Sequence, residues 1–550
     1  MTLTLRHYAL LALLAFFLAL PGRMTLPPLD RDEARYMEAT EQMVLSNDFL
    51  DIHFQNQPRY LQPAGIYWLE ALSAKNSAAL FGPQVLRQTW PYRIPSLIAA
   101  SLIVPLTAWI GFMLFGASTA ILGALFLMVS TLFVAESRMA TIDTVLLLDI
   151  LCVEAILVRL YTNRNNRDPV SPFFACAYWA ALGIGLMLKG PIILIPGLAT
   201  PLSLCLIERN FSFWRSLRPA WGWIITLIIV APWCIGIALK SHGAFFKNAV
   251  GHNLLGKITH GQESHGFPPG YYAVIFILAF WPGALFTLRA LPSIWERRKN
   301  SSVLFLLCWI VPYWLFFELL ATKLPHYVLP TFPAIALLTA ASLTLWPAPR
   351  FLVWQKIIYI IYALLWSVVA IAFCFAGSAL LITTSHLISI RALIALGGGL
   401  PLVILAIFSL TKNRVKHAAY NIIGAAILIH AGLFWAVIPN LNLIQLSPHI
   451  ASSFYKARLC SESVLISASY YEPSLVFLAG PQTRLLDPEQ AAKSLIEHSK
   501  CDLALIDEKD KAVFLAELEK AGIKPHLYDQ ISGFNYSKGK KLNLSLFGAQ

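Results

Sequence analysis

The stretch Asp30-Arg31-Asp32-Glu33-Ala34-Arg35-Tyr36 is the first polar segment after the first apolar run of the chain. It gathers three carboxylates and two arginines into six residues of a sequence that is 57% apolar and only 13% charged. Asp30 is a typical N-cap residue, and Glu33 three residues later completes a capping box, so a helix is predicted to begin here. Asp32, Arg35 and Tyr36 then share one helix face.

That face presents a carboxylate, a permanent cation and a phenol, a set that suits a polar anionic ligand at a membrane surface. A capped interfacial helix with local ion pairs is the alternative interpretation. What the chain places on the same side of the membrane decides between the two.

Long apolar runs predict an α-helical polytopic membrane protein. The first run lacks a small-residue cleavage site after it and is followed by many others, so we interpret it as a retained helix rather than a signal peptide. Runs of about 18–24 residues indicate transmembrane helices. Thirteen are predicted, at residues 8–22, 94–115, 118–135, 143–160, 173–188, 191–207, 219–240, 271–293, 302–320, 328–346, 357–382, 390–410 and 418–438.

Basic residues recur in alternate loops, which predicts the orientation of the chain. Under the positive-inside rule these loops are cytoplasmic, so the N-terminus lies inside and the C-terminus outside. Much of the net charge of +13 is this topological signal, and no basic-aromatic module for nucleic acid appears. The basic loops lie near residues 159–167, 209–218, 297–299, 350–356 and 412–416.

Two predicted outer loops carry isolated charges. Asp143 stands at the mouth of the fourth span, where an uncompensated carboxylate is unfavourable and marks either function or an ion pair with Arg138. Lys189, in Lys189-Gly190-Pro191 between the fifth and sixth spans, is either functional or a snorkelling anchor.

The predicted outer loop 241–270 contains Lys257 and three further polar candidates. His260, Glu263 and His265 could hold a divalent metal, although their spacing matches no established metal pattern. Contacts to phosphate or sugar are the alternative. No cofactor is otherwise indicated.

The last outer motif runs from Thr322 to Pro330. Two prolines bracket a turn that presents Lys323, His326 and Tyr327 at the entrance to the tenth span. Cations there suit a lipid-linked phosphate, and a plain interfacial anchor is the alternative.

Two regions outside the predicted spans have distinct roles. The outer segment 23–93 contains Pro58-Arg59-Tyr60 and leads into a helix too short and polar to span. Residues 441–550 are less apolar and alternate predicted strands with helices, so a small outer α/β domain is expected after a transmembrane domain of residues 1–440. A disulfide between Cys460 and Cys501 is chemically permitted there.

The unusual acidic and basic clusters outside this domain all fall on the predicted outer face. One carboxylate with several cations suits group transfer from a phosphate: the carboxylate deprotonates the acceptor, and the cations stabilise charge on the leaving group. A transporter or flippase would instead predict charged, broken helices near the bilayer midplane and a repeat between halves.

The chain resembles the GT-C superfamily of integral-membrane glycosyltransferases, in the branch of the lipid A aminoarabinose transferase and the protein O-mannosyltransferases. The resemblance covers about residues 8–440. Its motifs are Asp32-Glu33-Ala34-Arg35-Tyr36, Tyr60 with Pro63 and Tyr67-Trp68, Asp143 in loop 136–143, Lys189-Gly190, and Lys323 to Pro330.

The resemblance implies that Asp32 is the catalytic carboxylate, assisted by Asp143, in an inverting transfer at the periplasmic face of a bacterial inner membrane. It implies a polyprenyl-phosphate sugar, such as an undecaprenyl-phosphate sugar, as donor and an envelope lipid such as lipid A or its core as acceptor. It implies that the donor phosphate is bound by Arg35, Lys189 and the turn with Lys323, His326 and Tyr327. Further candidates for donor binding are Tyr36, Tyr60 and Lys257.

One departure leaves the sugar open. The aminoarabinose transferases carry Glu-Lys before the proline that matches Pro63, whereas this chain has Leu61-Gln62. Protein O-mannosylation, with a polypeptide acceptor, is the nearest alternative among enzymes.

Overall fold

The computed structural model describes residues 2–164, 171–249, 251 and 266–549. Most of the chain is a bundle of apolar helices, and residues 446–549 form a smaller α/β unit against one end of it. The helices of the bundle and its outer segment are α1 (Leu5–Ala19), α2 (Asp32–Ser46), α3 (Gly65–Phe81), α4 (Trp90–Phe115), α5 (Ala117–Met128), α6 (Thr131–Glu136), α7 (Ile142–Thr162), α8 (Pro172–Lys189), α9 (Leu194–Glu208), α10 (Pro219–Lys240), α11 (Tyr271–Ala279), α12 (Ala284–Glu296), α13 (Ser301–Leu319), α14 (Phe332–Thr344), α15 (Val353–Ser385), α16 (Ile390–Thr411) and α17 (Val415–Gly432).

Shorter segments connect these helices. A two-stranded ribbon pairs β1 (His53–Phe54) with β2 (Gln57–Pro58), and 3₁₀ turns occupy Pro83–Arg87, Gly190–Ile193 and Pro325–Thr331. The remaining short helical segments are Ser212–Ser216, Ala244–Phe246, Leu433–Val437, Ile438–Asn440 and Asn442–Ile444.

Helical segments occur at all thirteen predicted spans, and the prediction of a polytopic helical protein is confirmed. Within the described residues, eight segments are long and apolar enough to cross a membrane, so the count of thirteen stays a prediction. Two predicted spans are broken: residues 118–135 form α5 and α6, and residues 271–293 form α11 and α12.

The C-terminal unit is a five-stranded sheet with helices on both faces. The strand β5 (Leu503–Asp507) is buried along its length, and its side chains alternate between two apolar clusters, with Leu503 and Leu505 in one and Ala504 and Ile506 in the other. Two strands, β3 (Leu465–Ser467) and β4 (Arg484–Leu485), run parallel to β5 on one side of it, whereas β7 (Lys540–Ala549) is antiparallel to β5 and to β6 (Pro525–Asn535). The strand order is β4-β3-β5-β7-β6. The elements are α18 (Leu446–Ala457), β3 (Leu465–Ser467), α19 (Pro473–Ala479), β4 (Arg484–Leu485), α20 (Pro488–Glu497), β5 (Leu503–Asp507), α21 (Lys511–Lys520), β6 (Pro525–Asn535) and β7 (Lys540–Ala549).

The predicted capping box at Asp30 is wrong. The helix begins at Asp32, and Arg31 occupies the N-cap position without a capping side chain. The Asp30 carboxylate instead accepts from the backbone N–H of Ser474, 3.1 Å away in the C-terminal unit. The carboxylate of Glu33 instead accepts hydrogen bonds from Arg93 and from the backbone N–H groups of Leu29 and Ala140.

Apolar contacts complete this junction between the two units. The ring of Phe477 on α19 meets Tyr92 edge to face, with ring centroids 5.7 Å apart, in a buried cluster that also contains Met37 and Leu86. The C-terminal unit therefore rests on the outer segment rather than hanging from the last helix alone.

Cys460 and Cys501 form a disulfide, with their Cα atoms 5.6 Å apart and the two residues 41 positions apart in sequence. Closing a loop of this length lowers the entropy of the unfolded chain and is worth about 4 kcal/mol. We expect Cys501→Ser to lower the free energy of unfolding of the C-terminal unit by roughly that amount, measured by pulse proteolysis of the full-length protein in urea.

Cys176→Ser, which changes a cysteine in α8 outside the disulfide, is the matched control. Equal urea midpoints for wild type and Cys501→Ser would contradict the prediction, as would free-thiol labelling of both Cys460 and Cys501 in unreduced protein.

Candidate active site

A buried ion pair holds the start of α2. Arg93 Nε and Nη2 donate to the two carboxylate oxygens of Glu33 at 2.8 and 3.0 Å, and both side chains are 1% exposed. The backbone N–H groups of Leu29 and Ala140 donate to the same carboxylate at 2.9 and 2.8 Å. The remaining Arg93 donors bond the carbonyls of Arg23, Leu26 and Pro27 and the hydroxyl of Thr89.

Asp32 precedes Glu33 and faces the other way, into solvent. It forms no hydrogen bond or ion pair with another residue in the described part of the chain. Its charge nevertheless acts on Tyr36, one turn along the helix: burial raises the pKa of Tyr36 well above its usual value, and Tyr67 and Asp32 add to the shift. An exposed carboxylate with unused acceptor oxygens is available to a substrate hydroxyl.

Tyr36 lies in a small aromatic and cationic group. The amide of Gln62 donates to its hydroxyl, and the Arg59 guanidinium lies 5.4 Å from the centre of its ring. Arg59 also donates from Nε to the Tyr67 hydroxyl at 3.0 Å and is 8% exposed. Burial lowers the pKa of Arg59, but Tyr67, Tyr36 and, more weakly, Asp32 together raise it above its usual value.

A second group joins three predicted residues from separate elements. Lys189 Nζ, at the end of α8, lies 2.5 Å from Asp143 Oδ1, in the first turn of α7. His326 Nε2, in the turn before α14, lies 3.8 Å from Asp143 Oδ2, and its Nδ1 lies 3.6 Å from Glu136 Oε1. The ring centre of Tyr327 lies 5.6 Å from Lys189 Nζ.

The alternative prediction of an ion pair between Asp143 and Arg138 is wrong. Arg138 donates instead to the backbone carbonyls of Leu18, Pro21 and Val134.

Glu136 links the two groups electrostatically. Burial raises its pKa to about 8, and the nearby charges of Asp143 and Asp32 add to the shift while Lys189 opposes it. Thr141 donates a hydrogen bond to Glu136 Oε2 at 3.2 Å. At neutral pH this carboxyl is therefore mostly protonated, which limits the negative charge beside Asp143.

An apolar cavity of about 290 Å³ opens beside these groups. Gln62, Lys189 and Tyr327 lie on its wall, so the polar groups of both clusters border one space. The rest of the wall is mainly apolar and includes Met187, Cys234, Phe245, Phe317 and Leu320. A cavity with one cationic border and an otherwise apolar wall suits an amphiphile with an anionic head.

Two glycines allow the backbone to close around this cavity. A Cβ on Gly65 would lie 2.5 Å from the carbonyl oxygen of Met187, so only glycine lets α3 approach the end of α8 this closely. Gly190 has a φ of +68°, a left-handed conformation that favours glycine, and it turns the chain directly after Lys189.

The other predicted site residues within the described part of the chain have different surroundings. Lys323 donates to the carbonyls of Phe267 and Leu320 and is 2% exposed. Burial raises the pKa of Tyr60, and the nearby charge of Asp51 adds to the shift. Arg35 is half-buried on α2 and forms no side-chain hydrogen bond or ion pair with any residue that the structure describes.

The predicted metal candidates His260, Glu263 and His265, together with Lys257, lie outside the described residues. Among the residues of the described ranges, no group of three or more His, Cys, Asp or Glu side chains could hold a metal ion.

Four residues of the site were not assigned from the sequence. Arg59 and Arg93 stand in loops or helix ends where a lone arginine carries no pattern, and Glu33 has the spacing of a capping residue. Glu136 was noted only as part of a loop. The signal that could have identified Arg93 and Glu33 is their opposite charge within an apolar sequence, but nothing in the spacing pairs residues 60 positions apart.

The fold is that of known membrane glycosyltransferases. The structure of ArnT from Cupriavidus metallidurans bound to undecaprenyl phosphate aligns with a TM-score of 0.73, over 98% of this chain and 97% of that one, at 18% identity. The archaeal oligosaccharyltransferase AglB from Archaeoglobus fulgidus, in complex with an inhibitory peptide and a dolichol-phosphate, aligns with a TM-score of 0.53 over 99% and 74% of the two chains, at 12% identity. The chain therefore shares the overall fold of these two proteins.

Comparison of the sequence with known proteins identifies a matching family model and several relatives. The family model "Dolichyl-phosphate-mannose-protein mannosyltransferase" matches residues 9–245, which include Asp32, Asp143 and Lys189. The undecaprenyl phosphate-alpha-4-amino-4-deoxy-L-arabinose arabinosyl transferase of Erwinia tasmaniensis is 27% identical over 311 residues, or 56% of this chain and 54% of that protein. The chain thus spans about half the length of the curated relatives it matches, and the predicted relationship to the aminoarabinose transferases and O-mannosyltransferases is confirmed.

The raised pKa of Glu136 predicts a pH-dependent stability. A carboxyl with a folded-state pKa of about 8 and an ordinary unfolded value of 4.5 binds its proton more tightly when folded. Stability therefore falls as pH rises from about 4.5 to 8 and levels off above that. We expect Glu136→Gln to flatten this decline in the melting temperature of the full-length protein in detergent.

Glu489→Gln, which changes an exposed carboxylate on α20, is the matched control and should keep the wild-type pH dependence. A Glu136→Gln profile that parallels the wild type would show that Glu136 is ionised in the folded protein at neutral pH.

Proposed function

We propose that the chain is an inverting glycosyltransferase that moves a sugar from a polyprenyl-phosphate donor, such as an undecaprenyl-phosphate sugar, to an envelope lipid such as lipid A or its core. The observation that carries this proposal is an exposed carboxylate, Asp32, whose charge acts on Glu136, while Glu136 lies next to His326 in the group whose Lys189 borders an apolar cavity. The similarity to transferases that are named for an undecaprenyl-phosphate donor supports it.

In the proposed reaction the two groups have separate roles. Asp32 accepts the proton of the acceptor hydroxyl as that oxygen bonds to the anomeric carbon of the sugar. The bond between the anomeric carbon and the phosphate oxygen breaks, and polyprenyl phosphate leaves with the electron pair. Lys189 and His326 stabilise the charge that develops on the phosphate, and Arg35 and Arg59 add positive potential near Asp32.

Asp143 assists Asp32 by orienting two cations. Its carboxylate is bound by Lys189 and lies near His326. The cavity holds the prenyl chain, with Tyr36 and Tyr327 near its polar end. Tyr60, Lys257 and Lys323 remain proposed donor contacts, although Lys323 donates to backbone carbonyls and Lys257 lies outside the described residues.

We further propose that the site faces the periplasm of a bacterial inner membrane. Asp143 begins α7 at the end of the bundle that carries the C-terminal unit, whereas the basic loop near Arg159 and Arg164 follows the opposite end of α7. This arrangement supports a cytoplasmic N-terminus and a transmembrane domain of residues 1–440. It also supports a periplasmic α/β domain of residues 441–550.

A polypeptide acceptor is the second candidate, favoured by the match to the protein mannosyltransferase family model. Mass spectrometry of lipid A and core from cells with and without the protein separates the two. A pentose- or hexose-sized mass lost from the lipid supports the envelope-lipid acceptor, whereas a loss confined to secreted glycoproteins supports the polypeptide acceptor.

Asp32→Asn should abolish transfer, with a rate at least about 10³-fold lower, because the amide cannot accept the acceptor proton. The measurement is the sugar-sized mass shift of the acceptor lipid in cells that express equal amounts of each variant. Asp48→Asn is the matched control, since Asp48 lies in the same outer segment and pairs with Lys240 at the surface. Wild-type transfer by Asp32→Asn would refute the assignment.

Cys234→Trp should raise the donor KM about tenfold or more with little change in kcat, because the indole fills the cavity on which Cys234 lies. Ile235→Trp is the control: the neighbouring side chain is 60% exposed on the outside of the same helix. Equal donor KM values for the two variants would show that this cavity does not bind the donor.

A further inference from the structure

The residue before Asp32 has an unusual backbone. Arg31 has φ 73° and ψ −106°, outside the regions that residues with a side chain normally occupy. Such a conformation persists only where neighbouring contacts impose it, and it occurs preferentially at functional sites. Here it directly precedes the exposed carboxylate of Asp32.

The C-terminal unit contacts this strained turn from the outside. The Tyr536 hydroxyl accepts a hydrogen bond from the backbone N–H of Asp30 at 2.6 Å. The Ser474 N–H donates to Asp30 Oδ1 at 3.1 Å, and the Ser537 carbonyl accepts from Arg31 Nη2 at 3.1 Å. Three groups of the C-terminal unit thus bond the two residues before Asp32.

Buried side chains hold these groups in place. Asn535 donates to Glu472 Oε1 at 2.8 Å, and its own amide oxygen accepts from the N–H groups of Ser537 and Lys538. Asn535 and Glu472 are 3% and 4% exposed. The tip between β6 and β7 is therefore a rigid support rather than a loose hairpin.

The turn is held from the inside as well, because Glu33 on the other side of Asp32 is bonded by Arg93, Leu29 and Ala140. We propose that Tyr536, acting through Asp30, is a positioning residue for Asp32, so that the C-terminal domain completes the active site. This inference rests on the proposed role of Asp32 as the base.

If Tyr536 positions Asp32, loss of its contact with Asp30 should lower the rate of transfer without changing the affinity for the donor. The cavity and Lys189 belong to the helical bundle, so loss of the Tyr536 contact leaves the donor site intact. The strained turn relaxes, and a displacement of about 1 Å at a catalytic group can lower a rate roughly 100-fold.

The test compares transfer rate with binding of undecaprenyl phosphate by the purified full-length protein. Tyr536→Phe should transfer about 10- to 100-fold more slowly than wild type, with unchanged affinity for undecaprenyl phosphate. Asp30→Ala should behave in the same way, and Asp30→Asn, which keeps an acceptor for Ser474, should recover most of the rate. Tyr471→Phe removes a hydroxyl that bonds Leu486 within the C-terminal unit, and it should match wild type.

Wild-type transfer by Tyr536→Phe would overturn the inference, and so would parallel losses of transfer and binding, because these indicate a general structural defect. Asp32→Asn in the same assay keeps the two proposals distinct. An active Asp32→Asn overturns the role of Asp32 itself, whereas an inactive Asp32→Asn with a fully active Tyr536→Phe overturns only the positioning role.

Discussion

The ion pair between Glu33 and Arg93 is the interaction on which the outer end of the molecule depends. It joins the start of α2 to α4, and its remaining bonds reach Leu29, Ala140 and the carbonyls of the first outer loop. Removing one partner of a buried, fully bonded pair typically destabilises a protein by about 3–5 kcal/mol, because the other charge stays buried. With Glu33 held inward, the adjacent Asp32 faces outward.

The site combines this rigid start of α2 with charges from three other elements. Lys189, Asp143 and His326 lie at helix ends or in a 3₁₀ turn, where backbone direction changes and side chains can converge. Their mutual pairing offsets the unfavourable burial of each charge. An anionic ligand in the cavity would meet the ammonium of Lys189 on its wall, where Asp143 pairs with that cation.

The helical bundle, the C-terminal α/β unit and the residues Asp32, Asp143, Lys189 and His326 could be predicted from the sequence, because apolar run length and isolated charges are local signals. The capping box at Asp30 could not be judged correctly, since Ser474, the partner of Asp30, is 444 residues away. The roles of Arg59 and Arg93 could not be predicted for the same reason, because they depend on tertiary contacts. Lys323 is a residue type that commonly binds phosphate, but here its ammonium donates to backbone carbonyls. The sequence alone does not distinguish a phosphate-binding lysine from one that bonds the backbone.

A structure of the full-length protein in a lipid nanodisc with undecaprenyl phosphate tests the central claim most directly. The account predicts phosphate density between Lys189 and Asp32, with the prenyl chain in the cavity bordered by Met187, Cys234 and Phe317. Density for the lipid in the separate apolar cavity near Phe276 and Trp314, with the space beside Lys189 unoccupied, would contradict it.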